Sequence, residues 1–254
     1  MRRHLIIPDT QVRRGVPTEH LDWAAQAIVE YKPDVVVHLG DHWDFPSLNS
    51  HSPPGSIELE GGRYQDDLDA GNEAFAQLFT PMDQEIARLK RNKKTQWNPR
   101  KVYIRGNHDS RADRVATNDP KWDGIIGSHN CETRDFEVHK FLEIVEIDGI
   151  SYSHYFANVH SGRPIGGSIE NRLNAIGRSF VQGHEQGLRY ARKPYPGKLA
   201  RHGLVAGSFY RHNEKYRGPQ GEDEWRGIVV LNEVHEGQYD VLPLSMSYLQ
   251  RRFG

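Results

Sequence analysis

Lys101-Val102-Tyr103-Ile104-Arg105-Gly106-Asn107-His108-Asp109 decides how this chain is read. An apolar run flows straight into a tetrad carrying an amide, an imidazole and a carboxylate. That order places all three at the carboxyl end of a strand, where open α/β sheets put their chemistry. Taken alone, the tetrad also fits a polar turn. It does not stand alone. Upstream, Asp9-Thr10-Gln11 and Gly40-Asp41-His42-Trp43-Asp44 each close an apolar run, and downstream Ser153-His154-Tyr155 and Gly183-His184-Glu185-Gln186 do the same. Five clusters of metal-compatible residues at five strand ends point to one metal centre.

Working outward, Leu5-Ile6-Ile7 is a buried-strand signal that delivers Asp9 and Gln11. Thr18 is the expected N-cap of a helix whose stripe is Leu21, Ala24, Ala25, Ile28 and Val29. Pro33 ends that helix, and Asp34-Val35-Val36-Val37-His38-Leu39 reads as a strand buried on both faces. Strand, helix and strand in about 35 residues make a βαβ unit and start a parallel sheet. Residues 45–65 read as loop. Residues 66–91 carry a helical pattern that Pro81 is expected to kink or divide. Residues 136–156 turn to strand period around an Asp148-Gly149 hairpin turn. A helix near 168–178 then precedes Phe180-Val181-Gln182, and the remainder is β-rich. The expectation is a βαβ half followed by a mainly antiparallel half with helices outside, in one domain over 1–254 with a helical and basic insertion at about 45–101.

Bulk composition narrows the class. The chain has 254 residues, 36% apolar and 26% charged, with net charge −1, so nothing pulls it as a whole toward nucleic acid or membrane. A single cysteine, Cys131, rules out an internal disulfide framework, implies no disulfide-linked partner and suggests a reducing compartment. The start, Met1-Arg2-Arg3-His4-Leu5-Ile6-Ile7-Pro8, lacks the roughly 7–15 apolar residues of a secretory segment. No stretch approaches the roughly 20 needed to span a bilayer. A cytoplasmic protein without membrane association is expected.

The ordered set GDHWD, GNHD, a post-strand His and GHEQ resembles the calcineurin-like metallophosphoesterase superfamily. That family's pattern is DxH, GDxxD, GNHD/E, a His after a strand, and GHxH. The match runs from Asp9 to Gln186, 178 of 254 positions, and Gly207-Ser208 resembles the family's later GS turn. The resemblance implies a four-layered α/β/β/α sandwich of mixed sheets with outer helices. It also implies two divalent ions bridged by Asp41, one held by Asp41, Asn107, His154 and His184, the other by Asp9, Gln11, Asp41 and Gln186. His108 is implied to assist the leaving oxygen, with Asp44 orienting it and keeping it cationic. The implied reaction is in-line attack on phosphorus by a hydroxide held between the metals.

Two departures fall on one metal site: Gln11 and Gln186 stand where the family has imidazoles. An amide oxygen is harder than imidazole nitrogen, so the site should lean from Zn²⁺ or Fe toward Mn²⁺ or Mg²⁺. A weak second site filled only with substrate, and loss of catalysis, are the competing readings. The retained His108 and Asp44 speak for chemistry. Arg105 and Arg111 flank the tetrad and suit a phosphate clamp, or else are solvated. His42 could touch substrate, though an exposed loop histidine is the simpler expectation. His160 is a fallback ligand, and Trp23 and Cys131 read as structural.

Two basic-aromatic runs bear on the substrate: Lys90–Lys101 with Trp97, and Arg189–Lys198 with Tyr190 and Tyr195. Both are expected near the metal edge, where charge and stacking rings would hold single strands of DNA or RNA, unless they form a solvated face. The expected function is therefore a phosphodiesterase or nuclease on nucleic acid or nucleotides. The alternatives are a phosphomonoesterase, including a protein phosphatase, and a phosphate-binding pseudoenzyme. Against a protein phosphatase, Phe45-Pro46 follows Asp44 in place of Arg-Gly. The segment Leu244–Phe253 is free to dock on the domain or on another chain.

Overall fold

The computed structural model describes residues 1–50, 55–56, 59–213 and 223–254, so part of the loop expected over 45–65 lies outside the described residues. The apolar runs become strands β1 (Arg2–Ile7), β2 (Val35–His38) and β3 (Arg100–Ile104), which pair in parallel in that order. Helix α1 (Glu19–Tyr31) crosses from β1 to β2 and stops at Lys32, whose left-handed backbone precedes Pro33. After the short helix α3 (Arg111–Asn118), β4 (Glu137–His139) extends this sheet beside β3. The last two strands, β10 (Gly227–His235) and β11 (Gln238–Ser245), return to its other edge, giving the order β11-β10-β1-β2-β3-β4.

The second sheet holds β5 (Val145–Ile147), β6 (Ile150–Ser153), β7 (Phe180–Gln182), β8 (Leu188–Tyr195) and β9 (Lys198–Ala206), in the order β5-β6-β7-β9-β8. The β5–β6 hairpin turns at Asp148-Gly149, both with positive φ, as the turn signal requires. The second half is mainly antiparallel, as in β5–β6, β8–β9 and β10–β11, but not throughout. β6–β7 and β7–β9 pair in parallel, because helix α4 (Ile169–Ile176) crosses over between β6 and β7 and the β8 hairpin flanks β9.

Alternating side chains build the layers. Ile6, Val35, Val37, Val102 and Ile104 face Ile150, Tyr152, Val181 and Leu204 between the sheets. Leu5, Ile7, Val36 and Tyr103 face the other way, against α1 and helix α2 (Tyr64–Arg91). Leu173 of α4 covers Phe180 and Val205 on the outer face of the second sheet. The result is the α/β/β/α stack.

Three local expectations change. Thr18 sits at the α1 N-terminus but caps nothing with its side chain; its hydroxyl donates to Gln77 Oε1 at 2.8 Å, tying α1 to α2. Pro81 does not divide α2, which runs through it for 28 residues. Burial of Phe75, Leu78, Phe79, Met82 and Leu89 outweighs the roughly 3 kcal/mol a helical proline costs. The C-terminal segment docks on its own chain. Helix α5 (Met246–Phe253) buries Leu249, and its end meets α1 through Gln26 and an Arg252–Glu30 ion pair.

Candidate active site

β1, β2, β3, β6 and β7 deliver Asp9, Asp41, Asn107-His108, His154 and His184 to one edge of the two sheets. Asp41, His154 and His184 each place a ligand atom within 4.8 Å of the other two. His154 Nδ1 donates to the Leu39 carbonyl at 2.7 Å. That bond fixes the ring, so its Nε2 faces Asn107 Oδ1 at 3.0 Å and Asp41 Oδ2 at 3.3 Å. Asp9 joins through its Oδ1, which accepts the His184 backbone N–H at 3.0 Å. Asp41, His184 and Gln11 all hold left-handed backbone, a strain that only a demanding site maintains. Close approach is also built in: a Cβ on Gly106 would lie 2.0 Å from Asp41 Oδ1.

Buried charge sets the protonation. Burial works against the His154 imidazolium, but the Asp41 carboxylate outweighs it and lifts His154 to about 9. Burial, then the His154 charge, lower His184 to about 4. Burial pushes the Asp9 carboxyl upward. A nest of buried carboxylates and imidazoles joined by the Asn107 amide oxygen is a donor set suited to a divalent cation.

His108 lies between two carboxylates. Its Nδ1 donates to Asp44 Oδ1, its backbone N–H donates to Asp41 Oδ1 at 2.8 Å, and its Nε2 stands 3.9 Å from Asp41 Oδ2. Burial alone would lower the His108 pKa, yet Asp41 and Asp44 together raise it. Asp44 is itself buried, and His108, Arg13 and Arg111 hold it well below the usual carboxylate range against that burial.

The calcineurin-like phosphoesterase family model matches residues 3–202. The chain belongs to that family. No curated protein matches. Among solved structures, an uncharacterized protein of Streptococcus pneumoniae titled a predicted phosphoesterase is 12% identical, with a TM-score of 0.37, over 97% of this chain and 90% of its own. A protein of Thermus thermophilus is 9% identical, with a TM-score of 0.34, over 95% and 98%. The phosphoesterase assignment brings phosphoester hydrolysis and a binuclear metal requirement with it. No helix among the described residues is long and apolar enough to cross a membrane.

The remaining residues expected at the phosphoesterase site divide. Gln11 is buried beside Asp41, to whose carbonyl its N–H donates at 2.8 Å, and its Oε1 has no hydrogen-bond partner among the described residues. Gln186 is half-buried and lines a surface cavity of about 430 Å³ with His184, Glu185, Arg189 and Glu224. Arg111 reaches the site, donating to the Asp44 carbonyl at 2.7 Å, with its other guanidinium nitrogen 3.4 Å from His108 Nε2. Arg105 donates to the Ser128 carbonyl at 3.1 Å and pairs with Asp113, bracing that loop. His160 is exposed on its loop.

His42 is neither an exposed loop histidine nor a substrate contact, because it is fully buried. It ends a chain of neutral donors and acceptors whose tautomers the partners determine. Gly40 N–H donates to His38 Nδ1 at 3.2 Å, His38 Nε2 to Thr10 Oγ1 at 3.2 Å, Thr10 to His42 Nδ1 at 2.7 Å, and His42 Nε2 to the Gly71 carbonyl at 3.0 Å. Burial lowers both imidazoles, His42 to about 4. The chain fastens α2 to the metal loops. Gly71 is required there, since a Cβ would fall 2.0 Å from the Trp43 ring.

The larger correction concerns the basic runs. Lys90–Pro99 leads into the amino end of β3, and Trp97 Nε1 donates to the Pro33 carbonyl just before β2 at 2.7 Å. This run therefore lies at the sheet edge opposite the metals. The second run starts at the metal edge with Arg189, but β8 carries Lys193 and Tyr195 away from it.

Sequence reasoning quoted Asp109 and Thr10 without giving either a role of its own, and it did not single out Arg13 or Arg114. Asp109 accepts the N–H groups of Asp41, His42, Trp43 and Gly106 and the Tyr103 hydroxyl at 2.7–3.1 Å. Its presence in the tetrad was the available signal. Arg13 pairs with Asp44, and Arg114 donates to the Asn107 carbonyl at 3.2 Å. Neither has a motif that marks it, beyond its nearness to Gln11 or Asn107.

Proposed function

We propose that this phosphoesterase hydrolyses phosphodiesters of nucleic acid or nucleotides. The observation that carries the catalytic reading is His108 set between Asp44 and Asp41, with its Nδ1 bonded and its Nε2 turned toward the cluster. Asp41, Asn107, His154 and His184 would hold one divalent ion, and Asp9, Asp41, Gln11 and Gln186 the other. The orphaned Gln11 Oε1 supports that second set. Amide oxygens favour Mn²⁺ or Mg²⁺ over Zn²⁺ or Fe. Bound divalent ions supply Lewis acidity at the phosphoryl oxygens and lower the pKa of water.

The chain's own groups then divide the work. Asp44 holds the His108 ring and its charge through Nδ1, and Nε2 gives its proton to the leaving oxygen. Arg111, already against His108, faces the phosphoryl oxygens. The diester preference is supported by the open cavity beside His184, with Arg189 on its wall and the exposed Tyr190 next on β8. The buried Cys131 fits a cytoplasmic setting.

One observation favours the second reading, a phosphomonoesterase. The Arg114 guanidinium forms no close ion pair among the described residues and suits a dianionic terminal phosphate. Turnover of bis(p-nitrophenyl) phosphate against p-nitrophenyl phosphate, titrated with Mn²⁺, Mg²⁺ and Zn²⁺, separates the two. Diester cleavage driven by Mn²⁺ and lost in His108→Ala supports the proposal. Monoester preference overturns the substrate class. No turnover with any metal leaves a phosphate-binding protein.

A further inference from the structure

The loop after β4 spends conformational energy to place an apolar ring at the metal edge. Leu142 is held at φ 68°, a backbone region that bulky side chains avoid. Glu143 braces the turn, accepting the Lys140 N–H at 3.0 Å and the His139 ring at 2.8 Å. The residue so displayed is Phe141, whose ring stays partly exposed. It meets Tyr155 edge-on, with centroids 5.5 Å apart. Tyr155 follows His154 directly, lies 4.7 Å from the His184 ring and is itself partly exposed. Its hydroxyl has no hydrogen-bond partner among the described residues.

Two rings from separate elements, neither sealed in a core, thus border the candidate metal ligands on the side of His154 and His184. His108, Asp44 and Arg111 are the polar groups gathered around Asp41. The geometry points to an aromatic subsite: Phe141 and Tyr155 receive a flat ring attached to the phosphoester, either an aryl group or a nucleobase. Ring faces and edges attract one another beyond simple area burial. Stacking against protein rings is tolerant of base identity. This deepens the phosphodiesterase reading and rests on it for the position of the phosphate. The predicted selectivity is for the group beside the phosphate, not for a base sequence. Phe141 and Tyr155 are specificity residues here and do no chemistry.

Two paired measurements test it. The first is hydrolysis, with Mn²⁺, of thymidine 5′-(p-nitrophenyl phosphate) and methyl p-nitrophenyl phosphate, which share a leaving group. The subsite makes kcat/KM roughly tenfold higher for the nucleoside ester. Phe141→Ala should bring the two kcat/KM values together, chiefly through a rise in KM for the nucleoside ester. The second is calorimetric binding of thymidine 5′-monophosphate against inorganic phosphate, which needs no turnover. The nucleotide should bind roughly tenfold tighter, and Phe141→Ala should erase the difference. Phe141→Leu, which keeps the bulk, controls for folding through its thermal unfolding. Equal binding of nucleotide and phosphate overturns the subsite. A binding difference without hydrolysis of either ester keeps the subsite and sinks the catalytic reading.

Discussion

Asp109 Oδ2 accepts the backbone N–H of Asp41 at 2.8 Å, so the last residue of GNHD holds the central carboxylate of GDHWD in place. The same oxygen takes the Gly106 N–H at 2.7 Å and the Tyr103 hydroxyl at 2.8 Å. One buried carboxylate therefore sets the distance between two loops that the chain separates by more than 60 positions.

Asp109→Asn turns an amide N–H₂ toward donors that need an acceptor. It should cost about 2–3 kcal/mol, because buried donors lose a charged partner. For a chain of this length that is a fall in Tm of roughly 5–10 °C, with reduced metal affinity. An unchanged melting curve would show that the five bonds contribute little.

His108→Ala should lower kcat by about 10²–10⁴-fold with little change in KM, the range for loss of a positioned proton donor. Asp44→Asn should cost less in kcat and more in stability, since Arg13 and Arg111 lose the carboxylate they share. Steady-state kinetics beside thermal unfolding decides this, and the reverse ranking would place Asp44 in the chemistry itself.

Acid should destabilise the protein through buried neutral histidines. Burial lowers His20 from 6.5 to about 4, while its Nε2 donates to the Phe209 carbonyl at 3.1 Å. A folded pKa below the unfolded one gives stability that is fully present above about 6.5 and is lost as pH falls toward 4. His20 alone accounts for about 3 kcal/mol over that window. His20→Gln, which keeps a donor, should flatten the urea-unfolding slope between pH 6.5 and 4. A slope equal to the parent's would assign the loss to other groups.

Gln11→His should shift relative affinity from Mn²⁺ toward Zn²⁺, because imidazole nitrogen replaces an amide oxygen beside Asp41. Calorimetric titration of both ions into chelator-stripped protein measures the ratio. No shift would remove Gln11 from the ligand set.

Charge reversal at Lys93 and Lys94 should leave hydrolysis of an oligonucleotide unchanged, since that run sits at the opposite edge of the sheet. Arg189→Glu should raise KM and reduce the salt dependence of binding. A KM rise from the Lys93 and Lys94 changes would show that substrate wraps the whole domain.

Much of the site was legible because strand-end chemistry is local. An apolar run followed by Gly-Asp or Gly-Asn-His-Asp announces both an element and the polar groups at its end, as at Asp41 and Asn107. His42 looked exposed but is buried, since neighbours in sequence point to opposite sides of a loop: His42 goes inward to Thr10 and Gly71. Thr18 looked like a cap because its type suits one, yet Gln77 from a distant helix offered a better partner.

By itself, the order of residues determined the family, the strand ends and the types of group that meet there, since periodicity and motif spacing are properties of the chain. Only the tertiary structure decided which end of the sheet each basic run occupies, which residues brace Asp41, and that Phe141 stands beside Tyr155. Those relations depend on strand direction and on contacts between distant segments. No spacing along one dimension encodes them until the layers pack.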